Sequence, residues 1–353
     1  MINPFQVDNH PKQIRCAKYD GPGKIIIGSV PYPECSPGSV LVRVDSSGIC
    51  GSDLLSFQGI REQPTFPPGH EFSGVVIACG ADVTDFFPGD RVCVEGYSHC
   101  GKCEFCKAGR FNLCINRVFI PQNGPSGFSE IAIVSHSALH RLPDHISYET
   151  GALVEPLAVG LHALNQGFDK LSKNLLIVGA GTIGLCTLLC AVAKGITNIF
   201  VVAKHLHQIQ ATIHFGATRV FSATNKDDVN EELVQISPDV VINTSTSDEA
   251  LIQSIRACKY GGTIVLVGGY SQGTNVLLRQ VVSKEIRLVG SICYGQHNGI
   301  SDFDQIIDWI SEGTIRPDLL ITHRFSLHQI AKAFNVAQDK TNQSIKVMIK
   351  MLE

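Results

Sequence analysis

An excess of charge of one sign is almost absent from this sequence: 29 Lys and Arg stand against 32 Asp and Glu, a formal net charge of −3 over 353 residues. Such a balance offers no basic field for nucleic acid or for an anionic membrane surface. No apolar run approaches the roughly 20 residues that a membrane helix needs. The first eleven residues, Met1 to Pro11, carry no apolar core of a secretory signal and are expected to be an extended lead-in. Repeats and low-complexity linkers are also missing. The cysteine count is 13, an odd number in a long chain without a secretion signal. That excludes a complete disulfide framework and favours free thiols and metal ligation in a reducing, cytoplasmic compartment. What is present is an ordinary globular composition, 44% apolar and 17% charged. The length predicts two domains.

Residues 14 to 95 read as strands broken by turns. Lys24-Ile25-Ile26-Ile27 and Val40-Leu41-Val42-Arg43-Val44 are rich in β-branched residues and bounded by Gly and Pro. Pro88-Gly89-Asp90-Arg91-Val92 turns into another strand, and Gly127 to Val134 alternates like one. A helical pattern starts at Tyr148.

Within this region Gly69-His70-Glu71-Phe72-Ser73-Gly74 sets a His and a Glu side by side before the apolar run Val75-Val76-Ile77. Burying such a pair is costly unless its charge is compensated, and a divalent metal would compensate it. Gly48-Ile49-Cys50-Gly51-Ser52-Asp53 upstream offers a thiolate, and Val154-Glu155-Pro156 downstream offers a second carboxylate. Cys, His and Glu are zinc ligands, and a site with an exchangeable position is catalytic. Each residue alone has an ordinary alternative. Cys50 can be a small buried hydrophobe, His70 a satisfied core or surface residue, and Glu155 a residue before a helix that starts at proline. A second constellation is denser: Cys100, Cys103, Cys106 and Cys114, in C-x2-C-x2-C-x7-C spacing. Four close thiolates wrap one tetrahedral ion without a long loop closure and leave no open position, so this site is structural.

The second half alternates buried strands with helical stretches. Leu175-Leu176-Ile177-Val178 runs into Gly179-Ala180-Gly181-Thr182-Ile183-Gly184 and a helix from Leu185 to Lys194. Between a buried strand and a helix, this G-x-G-x-x-G pattern lets backbone amides and the helix N-terminus approach a pyrophosphate. Strands follow at 199–202, 240–243, 263–267 and 286–292, with a helix at 249–258. The alternation predicts an α/β doubly wound parallel sheet. Phe303, Ile306, Ile307 and Ile310 mark an amphipathic helix, Ser326-x-x-Gln329 a capping box, and 345–349 a closing strand.

Taken together, these motifs resemble the zinc-dependent medium-chain alcohol dehydrogenases along nearly the whole chain. The polyol branch (sorbitol, butanediol and galactitol-phosphate dehydrogenases) is the most similar. The resemblance implies a GroES-like β-rich catalytic domain from 1–157 and 296–353 and a Rossmann domain over 158–295. It implies two zinc ions per subunit, a small alcohol or ketone as partner, and a homodimer or homotetramer. Cys50 and His70 would be direct ligands of the catalytic zinc, with Glu71 and Glu155 completing the shell, directly or through water. Ser52 matches a hydroxyl that bonds the substrate oxygen, and Asp53 a residue supporting the zinc site. Gly179, Gly181, Thr182, Ile183 and Gly184 would hold the cofactor pyrophosphate.

Three positions depart from the pattern. Leu55 stands where many relatives carry a relay histidine, so the proton path must end through cofactor ribose and water, or be slow. Ala203 stands where an acidic residue normally binds the adenosine ribose, and Lys204, His205 and His207 follow it. An alanine beside basic groups admits a 2′-phosphate, so NADP is the expected cofactor, with Lys204 as a merely solvated residue and NAD as the alternative. Cys293 stands where polyol enzymes tend to show an arginine, which bears against a sorbitol-like substrate. Phe57, Phe119 and Tyr294 are candidates either for the pocket wall or for core. The expected function is hydride transfer between NADP(H) and a secondary hydroxyl or ketone of a polyol-like or sugar-derived compound. An NAD-linked small-diol dehydrogenase is the second reading. A non-catalytic cofactor-binding protein is the third, against which the intact metal residues argue.

Overall fold

The computed structural model describes residues 11–120, 124–224, 226–269 and 274–351, so the N-terminal lead-in lies outside the described residues. Two sheets dominate. In the first, the strands Ser39–Gly48, Glu71–Cys79, Arg91–Val94 and Leu139–Arg141 pair in that order as antiparallel neighbours. Ile131–Ser135 also pairs with Ser39–Gly48. On the other side, Lys346–Lys350 pairs with the end of Ser39–Gly48, and Ile321–Ser326 continues the sheet. Register brings distant residues to one place: Gly48 faces Glu71 across one edge and Met348 across the other.

The strand expected over 127–134 begins only at Ile131. The residues before it make a turn that clasps the Gly69 segment. Gly127 and Phe128 donate their N–H groups to the carbonyls of Gly69 and Pro68 at 3.0 and 2.8 Å. Gly69 has φ +97°, and a Cβ there would lie 2.8 Å from Phe128 N, so both conformation and space require glycine. This clasp presents the following residue, His70, at the start of its strand.

The second sheet is parallel throughout, in the order Arg219–Ser222, Asn198–Ala203, Asn174–Val178, Val240–Asn243, Thr263–Leu266, Arg287–Gly290. The strand Arg219–Ser222 and the helix Lys226–Ile236 were not singled out in the sequence. Alternation along Asn174–Val178 serves both faces. Leu175 and Ile177 pack with residues of the helices Val154–Gly167 and Thr182–Ala193. Leu176 and Val178 pack with Leu233, Leu251 and Ile255 on the opposite side. Successive strands are added on one side of Asn174–Val178 and then, from Val240–Asn243, on the other, so the crevice for a ligand opens at the carboxyl ends of the strands at this switch point.

The helix Val154–Gly167 contacts the first sheet, the helix Thr182–Ala193 and the helix Asp302–Ser311. Its first turn carries Glu155, which therefore lies where the two sheets approach each other. No helix among the described residues is long and apolar enough to cross a membrane.

Candidate active site and metal centres

Cys50 closes the end of one strand and opens the helix Gly51–Phe57. Its N–H donates to Asp53 Oδ2 at 2.9 Å, which caps the helix and fixes the Cys50 backbone. His70 enters from the next strand, and its Nδ1 lies 3.8 Å from Asp53 Oδ1. The ligand atoms of Cys50, His70 and Glu71 all lie within 4.8 Å of one another. Burial pulls the His70 imidazole down, but the Cys50 thiol and the Asp53 and Glu155 carboxylates more than reverse this, leaving it raised well above its usual value. A soft thiolate, an imidazole and a carboxylate converging on one point form a zinc donor set with room for a fourth ligand.

Glu71 has a partner that sequence reasoning did not find. Its Oε2 forms an ion pair with Lys346 Nζ, and both side chains are only 1% exposed. Lys346 also donates to Ile49 O at 3.1 Å. Burial pulls the Lys346 amine down, while Glu71 and then Cys50 push it above its usual value. One oxygen of Glu71 is thus held by a cation in the protein itself, leaving Cys50 and His70 as the donors free of such a tie. The two partners are 275 residues apart, and only sheet pairing joins them.

Glu155 stands outside the close trio but beside it. A Cβ built on Gly96 would lie 3.5 Å from His70 Cβ and 3.6 Å from Glu155 Oε1, so Gly96 separates the two. Glu155 is buried, which pushes its carboxyl up to about 7; His70 opposes the rise and Glu71 adds to it. A carboxyl poised near neutrality can exchange a proton at working pH. Ser52 is half-buried in the first turn of the helix that Cys50 opens, and Leu55 is 38% exposed.

The four lobe cysteines also converge. Sγ–Sγ distances are 3.5 Å for Cys103–Cys106, 3.5 Å for Cys100–Cys114 and 3.9 Å for Cys100–Cys106. Tetrahedral zinc with bonds of about 2.3 Å requires sulfurs about 3.8 Å apart, so the set fits that ion. N–H groups of Lys102 and Cys103 aimed at Cys100 bring its thiol down to about 6, which favours the ligating thiolate.

The glycine motif forms the cofactor crevice. Gly179 has φ +102°, and a Cβ on Gly184 would lie 1.9 Å from Gly179 O. Around Gly181, by contrast, a Cβ would meet nothing within 4 Å, so this side is open to a ligand. The helix Thr182–Ala193 starts there, about one turn earlier than the stretch from Leu185 suggests, and points its N–H groups at the crevice. Thr182 Oγ1 donates to Ile345 O at 2.7 Å. A cavity of about 780 Å³ is lined by Gly179, Gly181, Lys204, His205, Gln208 and Arg256, with Glu249 also in its wall. A smaller cavity of about 210 Å³ joins Gly181, Thr182, Ile183 and Gly184 to Gly51 and Leu54, beside Cys50. Ala203 ends its strand with its side chain in the core, so Lys204 is the residue that meets the cavity. His205 caps the helix Leu206–His214 and stacks on His207 at 5.6 Å.

The pocket candidates separate. Phe57 is core: it packs against Phe334 at 5.2 Å. Tyr294 is 1% exposed, stacks on Tyr97 at 5.0 Å and accepts from Gly96 N, which ties it to the wall beside Glu155. Burial first, then Glu155, pushes the Cys293 thiol up to about 12. Phe119 is 41% exposed.

Residues 36–144 match the family described as alcohol dehydrogenase GroES-like domain, and residues 182–312 that described as zinc-binding dehydrogenase. Sorbitol dehydrogenase of Ovis aries is 32% identical over 342 residues, 94% of each chain. An alcohol dehydrogenase of E. coli CFT073, solved with NADH, superposes with TM-score 0.89 at 26% identity over 97% of this chain and 100% of that one. A zinc-binding dehydrogenase of Sinorhizobium meliloti 1021, bound to NADP, gives TM-score 0.87 at 29% identity over 97% and 100%. Motifs, sheet topology and these likenesses converge: the chain belongs to the zinc-dependent medium-chain alcohol dehydrogenases, in their polyol dehydrogenase branch.

Proposed function

We propose that this dehydrogenase transfers hydride between NADP(H) and a secondary hydroxyl or ketone of a polyol-like or sugar-derived compound. In the oxidative direction the carbinol C–H and O–H bonds break, the hydride goes to the nicotinamide and the proton leaves to solvent. Zinc bound at Cys50 and His70 supplies Lewis acidity toward the substrate oxygen. Ser52 binds that oxygen, Glu155 exchanges the proton and tunes the ion, and Asp53 supports His70. Glu71 is ion-paired with Lys346 and stands by as a further donor. A second zinc at Cys100, Cys103, Cys106 and Cys114 is structural, two ions per subunit in all. Residues 1–157 with 296–353 carry catalysis and 158–295 the cofactor, a division that sheet membership supports.

The observation that carries the cofactor assignment is the end of the strand Asn198–Ala203. Ala203 offers no carboxylate, and Lys204, His205 and Arg256 line the adenosine side of the crevice. A charge-assisted contact contributes roughly 1.5–3 kcal/mol, and less when exposed as Lys204 is, so one Lys yields about tenfold preference. The test is kcat/KM with both cofactors on wild type and on Lys204→Ala. Wild type favours NADP, and the variant loses about tenfold with NADP while keeping NAD. A wild type that prefers NAD defeats the assignment and points to the small-diol reading.

None of the 13 cysteines is paired in a disulfide, which supports a reducing, cytoplasmic setting. A homodimer or homotetramer is supported by the edge strand Arg287–Gly290, where Leu288 and the neighbouring Leu278 and Val282 are exposed.

A further inference from the structure

Arg117 stands on the far side of the Tyr97 and Tyr294 rings from this site, and its side chain has no hydrogen-bond or ion-pair partner among the described residues. It follows the cysteine lobe directly: its N–H donates to Cys114 O at 3.1 Å, so the lobe fixes its backbone. The next residues, Val118–Phe119, pair with Tyr97–Ser98. The guanidinium lies 4.4 Å from the Phe119 ring centroid and 5.8 Å from that of Tyr97. Tyr97 stacks in turn on Tyr294, and its hydroxyl donates to Tyr294 O at 2.7 Å. Tyr294 Oη meets Gly96 N, and Gly96 lies between His70 and Glu155. Two stacked rings therefore connect Arg117 to the reacting centre.

Arg117 Nε is buried and has no hydrogen-bond acceptor among the described residues. Glu95, the acid of this wall, is engaged by His140 at 3.0 Å. The positive field of Arg117 reaches the Cys293 thiol, where it opposes the rise that burial and Glu155 cause. A half-buried, forked cation with aromatic faces beneath it, a buried Nε and no acceptor among the described residues suits a planar or tetrahedral oxyanion. We infer that Arg117 is a specificity-determining residue that binds an oxyanion group, phosphate or carboxylate, carried by the substrate at the end remote from the carbinol. The inference rests on the proposed reading of the site as a polyol or sugar-alcohol dehydrogenase.

The experiment uses zinc-loaded, cofactor-bound protein and three compounds of equal carbon number: a neutral polyol, its terminal phosphate monoester and the corresponding aldonate. Inorganic phosphate alone is the control for a free anion. Binding is measured by calorimetry and turnover separately, on wild type, Arg117→Gln and Arg117→Lys, with thermal midpoints and zinc content checked for each. Wild type binds one anionic compound at least tenfold tighter than the neutral polyol. Arg117→Gln reduces that ratio at least tenfold, and Arg117→Lys restores part of it, which a merely structural residue would not do. The phosphate and aldonate arms tell the two oxyanions apart. A preference for the neutral polyol, a ratio unmoved by Arg117→Gln, failure of all anionic compounds to bind, or affinity for inorganic phosphate alone overturns the inference. If Arg117→Gln does not fold, the ratio in wild type and Arg117→Lys decides: an unchanged ratio in Arg117→Lys also overturns it, since bidentate geometry is lost. An anionic compound bound through Arg117 but never oxidised would sink the dehydrogenase reading instead. Turnover of neutral polyols alone would do the reverse.

Discussion

Replacing Lys346 with Met tests the least expected contact of the site. The substitution keeps an unbranched side chain one atom shorter and removes the charge that faces Glu71, where both partners are 1% exposed. Breaking a buried pair from one side leaves an uncompensated charge and costs about 3–5 kcal/mol. For a cooperative unit of this size that lowers Tm by about 4–7 °C. Lys346 sits above its usual pKa, so its contribution is fully present below the unfolded value near 10.5. It fades only as pH rises through the higher folded value. Neutral buffer is therefore the right condition. Urea unfolding of metal-free protein should show the full loss for Lys346→Met and a similar loss for Glu71→Gln, which strands the lysine. The double variant should lose less than the sum by about 2 kcal/mol or more, because it strands neither. With zinc bound, the Glu71 carboxylate released by Lys346→Met becomes available to the ion, so zinc should leave that variant more slowly than wild type. Stability of Lys346→Met within about 1 kcal/mol of wild type, together with additivity in the double variant, would refute the reasoning.

Two further outcomes follow from the metal residues. Cys103→Ser should lose one zinc per chain and lower the unfolding midpoint, because metal binding in the lobe is folding free energy; Cys50→Ser should keep its fold and lose turnover, and metal analysis of the native protein giving one zinc or none per chain would contradict this pairing. In metal-free protein the Glu155 carboxyl, raised to about 7 from its ordinary value of 4.5, is more easily kept protonated in the folded state, so wild-type stability should fall as pH rises from about 4.5 to about 7. Glu155→Gln should remove most of that fall, at most about 3 kcal/mol, and identical pH–stability curves for the two proteins would count against a buried, proton-exchanging Glu155.

Local features of this protein were legible because their physics is local. The lobe spacing from Cys100 to Cys114 brings four sulfurs together within one short loop. The glycine motif works through backbone conformation, and the clash of a Cβ at Gly184 with Gly179 O involves residues five apart. Leu175 to Val178 announced a two-sided strand by being apolar at every position. The polar strand Arg219–Ser222 carries no such pattern, since it lies at a sheet edge where one side needs no burial. Phe57 could be pocket or core from its sequence alone, and its contact with Phe334 decided for core. The catalytic trio was named from glycine-rich frames and resemblance, but its electrostatics were not. Lys346 reaches Glu71 because antiparallel pairing sets the last strand beside Ser39–Gly48, and Arg117 approaches Tyr294 because Tyr97 lies between them. Sequence alone determined which chemistry this chain can hold. Tertiary structure decided which charges face one another, because that depends on the register between strands hundreds of residues apart, which no local pattern encodes.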